Sequence, residues 1–586
     1  MTSNYNKYPE IRIKGQDDQC FSGWDEITSR LNSALVTSSE ARKVIVVECY
    51  QGVDDAEILT ALSIGFEPGM VINTCDLMHS ADVIEKMTYP DVTSDRIFGF
   101  LSRLKMEDFL DAAKVTEARE KLKAAGDTLV LIYGPGAALV EPDPTILVYA
   151  DMARWEIQLR MRRHEVHNLG LVNAAENIEN QYKRGYFVDW RVCDRLKKKL
   201  VNCWDFVMDT NVSGQPKMIT RQAFNEAMKQ AANQPFSVVP YFDAGPWGGQ
   251  WMKQTFNLDP KLDNYAWCFN CVPEENSLYL LFGDTRFEMP SINVVFTQPR
   301  ALLGDPVHAR FGDEFPIRFD FLDTMGGGNL SLQVHPLTEF IQQNFGIPYT
   351  QDESYYLMEA GEEALVYLGL KDDIHPEEMA DGLKESELTG KTFEDSKFVN
   401  SFPARKHDHF LIPGGTVHCS GKDCMVLEIS STPYIFTFKL WDWGRMGLDG
   451  KPRPINIERG LCNIQWDRTT TWVKQNLINR VTELAKGDGW REETTGLHER
   501  EFIETRRHWF TKKVEHHTND GVNVLALVEG DEVTIESPAG AFEPFVAHYA
   551  EVFIVPASAG AYTIKPSGPS AGKECATVKA FVRVNA

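Results

Sequence analysis

At 586 residues the chain is long enough for about three to four domains. Its 43% hydrophobic and 25% charged content is that of an ordinary globular protein. A formal charge of −24, from 84 acidic and 60 basic residues, argues against non-specific binding to nucleic acid or anionic lipid. No apolar run approaches the ~18 residues of a membrane span. Eleven cysteines are too few for a disulfide scaffold, and the polar opening MTSNYNKYPEIRIKG is unlike a secretory signal, so a reduced cytoplasmic setting is expected. The lone CxxC, Cys268 to Cys271, lacks a partner pair and reads as two ordinary thiols.

Residues 1–235 read as α/β. KVIVVE (Lys43 to Glu48) is a continuous apolar run suited to a buried parallel strand. TLVLIY (Thr128 to Tyr133) and TILVYA (Thr145 to Ala150) are two more. Helical patterns lie between them, from Asp54 to Ile64 and from Met106 to Ala125, and a basic helix follows from Trp155 to Asn168. Strands alternating with helices predict a doubly wound sheet. This order, with YADMARWEIQLRMRRHE, resembles the uridine kinase-like P-loop proteins, in which a strand and an arginine helix clamp phosphates. One feature of that family is missing. Its first strand leads into G-x-x-x-x-G-K-[ST], whose backbone N–H groups and lysine cradle phosphate. Here the turn is Glu48-Cys49-Tyr50-Gln51-Gly52-Val53-Asp54-Asp55, with one glycine, no lysine and several carboxylates. Like charges at ~4 Å repel by on the order of several kcal/mol at intermediate dielectric. The domain is therefore expected to be a degenerate kinase-like fold that does not use ATP. Arg154, Arg160, Arg162 and Arg163 either hold some other anion or form a solvated basic face.

Arg184 to Phe206 reads as a helix whose aromatics pack in the core, and Gly214 to Ser237 as a polar hinge and helix leading to the next domain. The second domain, 236–465, opens near Val238. Its Gly245-Pro246-Trp247-Gly248-Gly249 is a tight turn over a tryptophan, followed by Lys253. The most informative stretch is GGGNLSLQVHPLTEFIQQNFGIPYTQDE, Gly326 to Glu353. Leu330 to His335 alternates apolar and polar residues, the period of a half-buried strand. Gln333 and His335 leave one face together. Pro336 ends the strand, since it has no N–H for a ladder. Glu353 and then His418, at the end of Ile412-Pro413-Gly414-Gly415-Thr416-Val417-His418, complete an amide, two imidazoles and a carboxylate. Such a set can hold a catalytic zinc ion with an open position. Equally, strand histidines commonly satisfy ordinary hydrogen bonds.

QVHP, then Asp352-Glu353-Ser354-Tyr355-Tyr356, then IPGGTVH, resembles the type I mannose-6-phosphate isomerases, zinc enzymes of the cupin class. The resemblance runs from about Pro240 to about Ile464 and more weakly beyond. It implies an all-β double-stranded β-helix (cupin, or jelly roll) with a helical insertion at Asp372 to Leu383. It implies one zinc ion on Gln333, His335, Glu353 and His418, and an aldose–ketose isomerisation of a sugar phosphate, mannose 6-phosphate to fructose 6-phosphate, through a metal-stabilised enediolate. Within LWDWGRMGLDGKPRPINIE (Leu440 to Glu458), Asp442 and Arg445 match the family's D-x-x-R, so Arg445 is the catalytic arginine unless it only pairs with Asp442. Trp247, Lys253 and Arg318 are the substrate-side candidates. His407 and His409 flank the second motif but are not family ligands, and His375 reads as surface. The chain departs from the family where its lysine is replaced by Asp320. Arg318, two residues earlier on the same strand face, could restore a cation there. Trp267-Cys268 stands for the family's W-E, and Gly326 to Gly328 lengthens the turn before the metal strand. No general base is evident. The alternatives are a catalytically inactive sugar or nucleotide sensor, or an isomerase of another sugar. The final part, 466–586, reads as a second jelly roll without a His/Glu set, suited to packing and assembly. The expected partner is a small sugar phosphate, with no nucleic acid and no membrane, and the oligomeric state stays open.

Overall fold

The structure is a computed structural model that describes all residues except 1–2, 40–41, 432–435, 447–452, 497, 499–500 and 585–586. It divides into two compact units. One is Glu10–Ala231 with Pro273–Thr297, and the other is Met1–Pro9, Ala232–Val272 and Gln298–Ala586. No helix among the described residues is long and apolar enough to cross a membrane.

The first unit is built on a seven-stranded sheet. Its strands are β1 (Cys20–Ser22), β2 (Val44–Cys49), β3 (Met70–Asn73), β4 (Val130–Gly134), β5 (Ile146–Asp151), β6 (Phe206–Asp209) and β7 (Lys217–Thr220), in the order β1-β7-β6-β5-β2-β4-β3. The five from β2 to β6 run parallel. β7 and β1 pair antiparallel at one edge. Every residue of β2, β4 and β5 is buried, as expected for central parallel strands covered on both faces. On one side Ile45, Val47, Leu131 and Val148 pack against Ile27, Leu31, Ile58 and Leu62 of two helices. Each such aliphatic side chain contributes about 1.5–3 kcal/mol when fully buried.

The helix expected from Met106 to Ala125 is broken in two, Met106–Phe109 and Ala112–Ala124, because Asp111 caps the second piece and accepts from the Ala113 and Lys114 amides. The basic helix expected from Trp155 to Asn168 spans only Arg154–Arg162. The hairpin of strands Ser277–Phe282 and Thr285–Pro290 pairs with Glu10–Arg12 in a small sheet of this first unit. By sequence alone this excursion would stay in the 236–465 domain.

The named strands of the second unit pair antiparallel. Its first part has strands β8 (Tyr241–Asp243), β9 (Trp267–Cys271), β10 (Arg318–Asp323), β11 (Leu332–Val334), β12 (Glu353–Ala360), β13 (Leu365–Leu370), β14 (Val399–Pro403), β15 (His409–Ile412), β16 (His418–Ser420), β17 (Cys424–Ser430) and β18 (Phe438–Trp441). They form a six-stranded sheet, β15-β12-β17-β10-β9-β8, and a five-stranded one, β14-β13-β16-β11-β18. The insertion helix, Pro376–Thr389, lies between β13 and β14. Further on come β19 (Thr482–Gly487), β20 (Trp490–Gly496), β21 (Ile503–Phe510), β22 (Val514–His517), β23 (Asn523–Glu529), β24 (Glu532–Glu536), β25 (Phe545–His548), β26 (Val552–Val555), β27 (Ala561–Pro566) and β28 (Cys575–Val582). These make a six-stranded sheet, β19-β20-β21-β28-β23-β26, and a four-stranded one, β22-β27-β24-β25. Phe510, Leu525 and Phe553 of one sheet share a core with Val533, Tyr562 and Ile564 of the other. Both parts are double-sheet structures of the kind a jelly roll requires.

Candidate metal centre

Three short strands set the site. β11 and β16 are neighbours, and Gln333 lies directly across from His418. β12 belongs to the other sheet, yet its first residue, Glu353, reaches both histidines. Glu353 Oε2 is 3.0 Å from His335 Nε2, and Oε1 is 2.9 Å from His418 Nε2. The two sheets therefore face each other here, with the centre between them. Gln333 Nε2 lies 3.2 Å from His418 Nε2. An amide's oxygen and nitrogen exchange places on a half-turn, so the same side chain can present its oxygen instead.

The turn Ile412 to His418 is locked in place. The Gly415 amide donates to the His335 carbonyl at 2.9 Å, and the Gly414 amide to Asp352 Oδ1 at 2.7 Å. Gly415 has φ +87°, and a Cβ there would meet Gln465, the Asn463 carbonyl and Leu337 within 2.9 Å. Only glycine fits both constraints.

Electrostatics and tautomers favour a cation. Each imidazole turns Nδ1 to a backbone carbonyl, His335 to Phe436 at 3.2 Å and His418 to Thr416 at 2.9 Å. Nδ1–H donation to those carbonyls leaves the Nε2 lone pairs aimed at the centre, as in metal-binding histidines. His335 Nε2 and Glu353 Oε1 are buried polar atoms with no hydrogen bond of acceptable geometry to a described residue. Burial would raise Glu353, but the two imidazoles outweigh it and hold the carboxylate well below its ordinary range. Burial would lower His335, but Glu353 more than offsets it. Among the described residues His335, Glu353 and His418 are the one group of three or more His, Cys, Asp or Glu side chains able to hold a metal ion, with ligand atoms within 4.8 Å of one another. Two neutral imidazoles, a carboxylate and an amide oxygen, all buried, fit a zinc ion.

Further polar groups touch the set. Gln351 Nε2 donates to Glu353 Oε2 at 2.9 Å and, more weakly, to Glu428 Oε1 at 3.4 Å. Glu428, on β17, is opposite Asp320 of β10 and Tyr355 of β12. Burial, then Glu353 and Asp320, hold its carboxyl well above the usual range. Glu428 is absent from the candidates read off the sequence. Its signal is there in CMVLEIS, the one charged residue in a fully buried strand.

The remaining candidates are placed as follows. Arg318 is buried on β10 and shares a face with Asp320. Arg445 Nη2 pairs with Asp442 Oδ1 at 2.6 Å, and its Nη1 donates to the Asn329 carbonyl. Arg453 holds the other Asp442 oxygen at 3.0 Å. Residues 447–452 of that segment lie outside the described residues. Lys253 donates to the Leu262 carbonyl at 2.6 Å, and Trp247 is buried edge-on against Trp267 at 4.8 Å. No hydrogen bond, ion pair or ring contact joins either to the four converging residues. His407 is spent on Tyr356 and Glu529, and His409 is a neutral core imidazole.

In the first unit the turn after β2 is closed on itself. Both Glu48 oxygens accept backbone amides, from Gly136 at 2.7 Å and Ala138 at 2.8 Å. Tyr50 donates to Asp194, and Gln51 is held between the His167 carbonyl and the Trp190 indole. Asp54 caps the following helix, Asp55–Phe66, taking the Ala56 and Glu57 amides that a phosphate would need. The arginines are also engaged. Arg154 pairs with Asp194, and Arg160 with Glu156 and three backbone carbonyls. Arg163 pairs with Glu156 and Glu165, and Arg162 lies over Trp155. Neither of the two alternatives open in the sequence, an anion clamp or a solvated basic face, describes Arg154 and Arg160, which are buried internal braces.

A family model described as a domain of unknown function, DUF8485, matches residues 23–233. A mannose-6-phosphate isomerase of Streptococcus mutans serotype c is 24% identical over 217 residues, 37% of this chain and 63% of the relative. The mannose-6-phosphate isomerase ManA of Bacillus subtilis is 25% identical over 150 residues, 26% of this chain and 44% of the relative. The chain thus spans less than two thirds of the length of either. A solved mannose 6-phosphate isomerase from Bacillus subtilis superposes with a TM-score of 0.48 at 17% identity, covering 59% of this chain and 99% of the other. The two sequence relatives support the likeness to mannose-6-phosphate isomerases. The domain matched at 23–233 carries no assigned function.

Proposed function

We propose that the second unit is a zinc-dependent aldose–ketose isomerase of a sugar phosphate, mannose 6-phosphate to fructose 6-phosphate. The observation that carries the reading is the convergence of His335, Glu353 and His418, each imidazole pinned through Nδ1 so that its free lone pair faces the carboxylate. Zinc held there would supply a Lewis acid for a carbonyl or its neighbouring hydroxyl. The rest of the chemistry falls to the chain. Isomerisation moves a proton between adjacent carbons, and Glu428, whose carboxyl is raised by burial and by Glu353 and Asp320, is the proposed proton-transfer group. Arg318 is the proposed cationic partner of the substrate, set next to Asp320 where the resembling family has a lysine. Arg445, braced by Asp442, would add a fixed positive charge. Lys253 would have to leave the Leu262 carbonyl to take part, and Trp247 would act through packing.

For the first unit we propose a kinase-like fold that has lost phosphate handling, supported by the parallel order of β2 to β6 and the self-capped turn after β2. The test of the main reading is metal analysis of untagged protein joined to a coupled assay of the two sugar phosphates. One zinc per chain and interconversion are expected. Zinc without interconversion would overturn the substrate, and a metal-free active protein would overturn the centre.

A further inference from the structure

The C-terminal double sheet changes character along its length. At one end its inward positions are Trp490, Phe510 and Cys575, which pack with Leu525, Val533 and Ile535. One rung along, the same three strands present Glu492, His508 and Thr577, in register across the sheet. The next rung holds Arg506 directly opposite Lys579. From the facing sheet, Val514 and Ile564 give way to the cross-strand pair His516 and Tyr562. This half of the interior is polar in a place where sequence alone suggests only packing. A His/Glu pair, His508 and Glu492, is present after all, 3.2 Å apart, but among the described residues no third ligating side chain joins it to make a metal group.

The polar end lines a half-open pocket of about 530 Å³. That is within the range of small-molecule sites, roughly 300–1,000 Å³. Glu492 and Arg506 largely neutralise each other on its wall. Arg506 pairs with Glu492 at 3.0 Å and with Glu504 at 2.6 Å, and His508 Nε2 sits 3.2 Å from Glu492. Other groups are left over. Lys579 is 6% exposed, yet its ammonium makes no hydrogen bond or ion pair with a described residue and only lies 5.5 Å from the Phe581 ring. Burial pushes it down to about 8. His516 is 6% exposed, stacked on Tyr562 at 5.0 Å and 11°, with neither ring nitrogen hydrogen-bonded. His508 Nδ1 is likewise without a partner among the described residues. Burying the ring nitrogens of His508 and His516 without partners is unfavourable. A fold bears such a cost where a ligand repays it.

We propose that this pocket is a second binding site, for a small polyhydroxylated anion such as a carboxylated or phosphorylated sugar. Its charged end meets Lys579, and its hydroxyls meet His508 and His516. Neutral imidazoles suit hydroxyls because each ring offers one donor and one acceptor. Lys579 suits an anion because, among the described residues, no carboxylate forms a direct ion pair with it, Glu492 and Glu504 acting on it only at longer range, whereas Arg506 is paired twice. The site stands apart from the metal centre and does not depend on what that centre does.

Calorimetric titration of the full-length protein tests this, with gluconate, fructose 6-phosphate, inorganic phosphate and mannitol as probes. Gluconate, fructose 6-phosphate or both should bind with one equivalent at this site, and that binding should persist in His418→Ala. Lys579→Met, which removes the charge but keeps the apolar stem, should weaken it by roughly tenfold or more. His516→Phe, which keeps the stack on Tyr562, should weaken it less. Mannitol and inorganic phosphate should bind much more weakly. The proposal is overturned if neither sugar anion binds, if Lys579→Met binds as the unaltered chain does, or if binding vanishes in His418→Ala. Phosphate binding as tightly as the sugar anions would overturn its polyol part. Because removing a buried lysine should not unfold the chain, unaltered thermal melting of Lys579→Met secures the comparison.

Discussion

Two strand-to-turn junctions invite the same guess and behave oppositely. After β2, the turn Glu48 to Asp55 leads into a helix, the usual seat of a phosphate. After β15, the turn Ile412 to His418 leads into a strand. In the first, the donors a phosphate would use are claimed from within: two helix amides by Asp54, the neighbouring loop amides by Glu48, and Nη2 of the nearby Arg154 by Asp194. In the second, backbone bonds fix the turn and the Nδ1 atoms, while the Nε2 and carboxylate atoms stay directed at one point. A turn becomes a ligand site through the polar groups it leaves unspent. The type of turn matters less.

Four measurements bear on that contrast, in falling order of expected effect. His418→Ala should reduce bound metal to background, because structural-quality metal binding is worth on the order of 10 kcal/mol at neutral pH; elemental analysis reads this. Metal retained at one equivalent would erase the distinction between the junctions. Glu428→Gln should keep the metal and lose about 10²–10⁴-fold in turnover, the usual contribution of a positioned proton-transfer group. A drop in metal content instead would make Glu428 a positioning residue.

His409, beside the second junction, is pushed down to about 3 by burial. The unfolded chain then binds its proton more readily than the folded one. This stability is fully present above ~6.5 and is lost as the pH falls toward about 3, amounting to about 2 kcal/mol by pH 5. Urea unfolding at pH 7 and pH 5 should show it, and His409→Phe should flatten it. Asp54→Ala should cost about 1 kcal/mol by loss of a helix cap, read by thermal melting. Nucleotide titrations should stay blank before and after. ATP binding to the unaltered chain would break the contrast at its other end.

Much of this was legible from local pattern. KVIVVE predicts a strand buried on both faces, and β2 is one, because a run without polar residues cannot face water on either side. The alternation at Leu330 to His335 predicts Gln333 and His335 on one face, although the strand itself is shorter, Leu332–Val334. What local pattern could not show is how a polar group is used. Arg154 and Asp194 are 40 positions apart, and nothing near either names the other. Glu428 acquires meaning only when β17 is set between β10 and β12, so that two other carboxylates face it. The tail 466–586 reads as packing and assembly, and Lys579 and His516 stand out only when the register sets them inside it.

The excursion Pro273–Thr297 has a practical corollary for synthesis and dissection. Asn293 donates to Asp151 Oδ2 at 2.9 Å and accepts from the Lys197 ammonium at 2.9 Å, closing a buried charge pair of the N-terminal unit. A growing polypeptide cannot finish its first unit until nearly 300 residues have left the ribosome. Cutting the gene at the apparent boundary near residue 235 would therefore release a fragment with that pair half-served and Glu10–Arg12 lacking its neighbour strand.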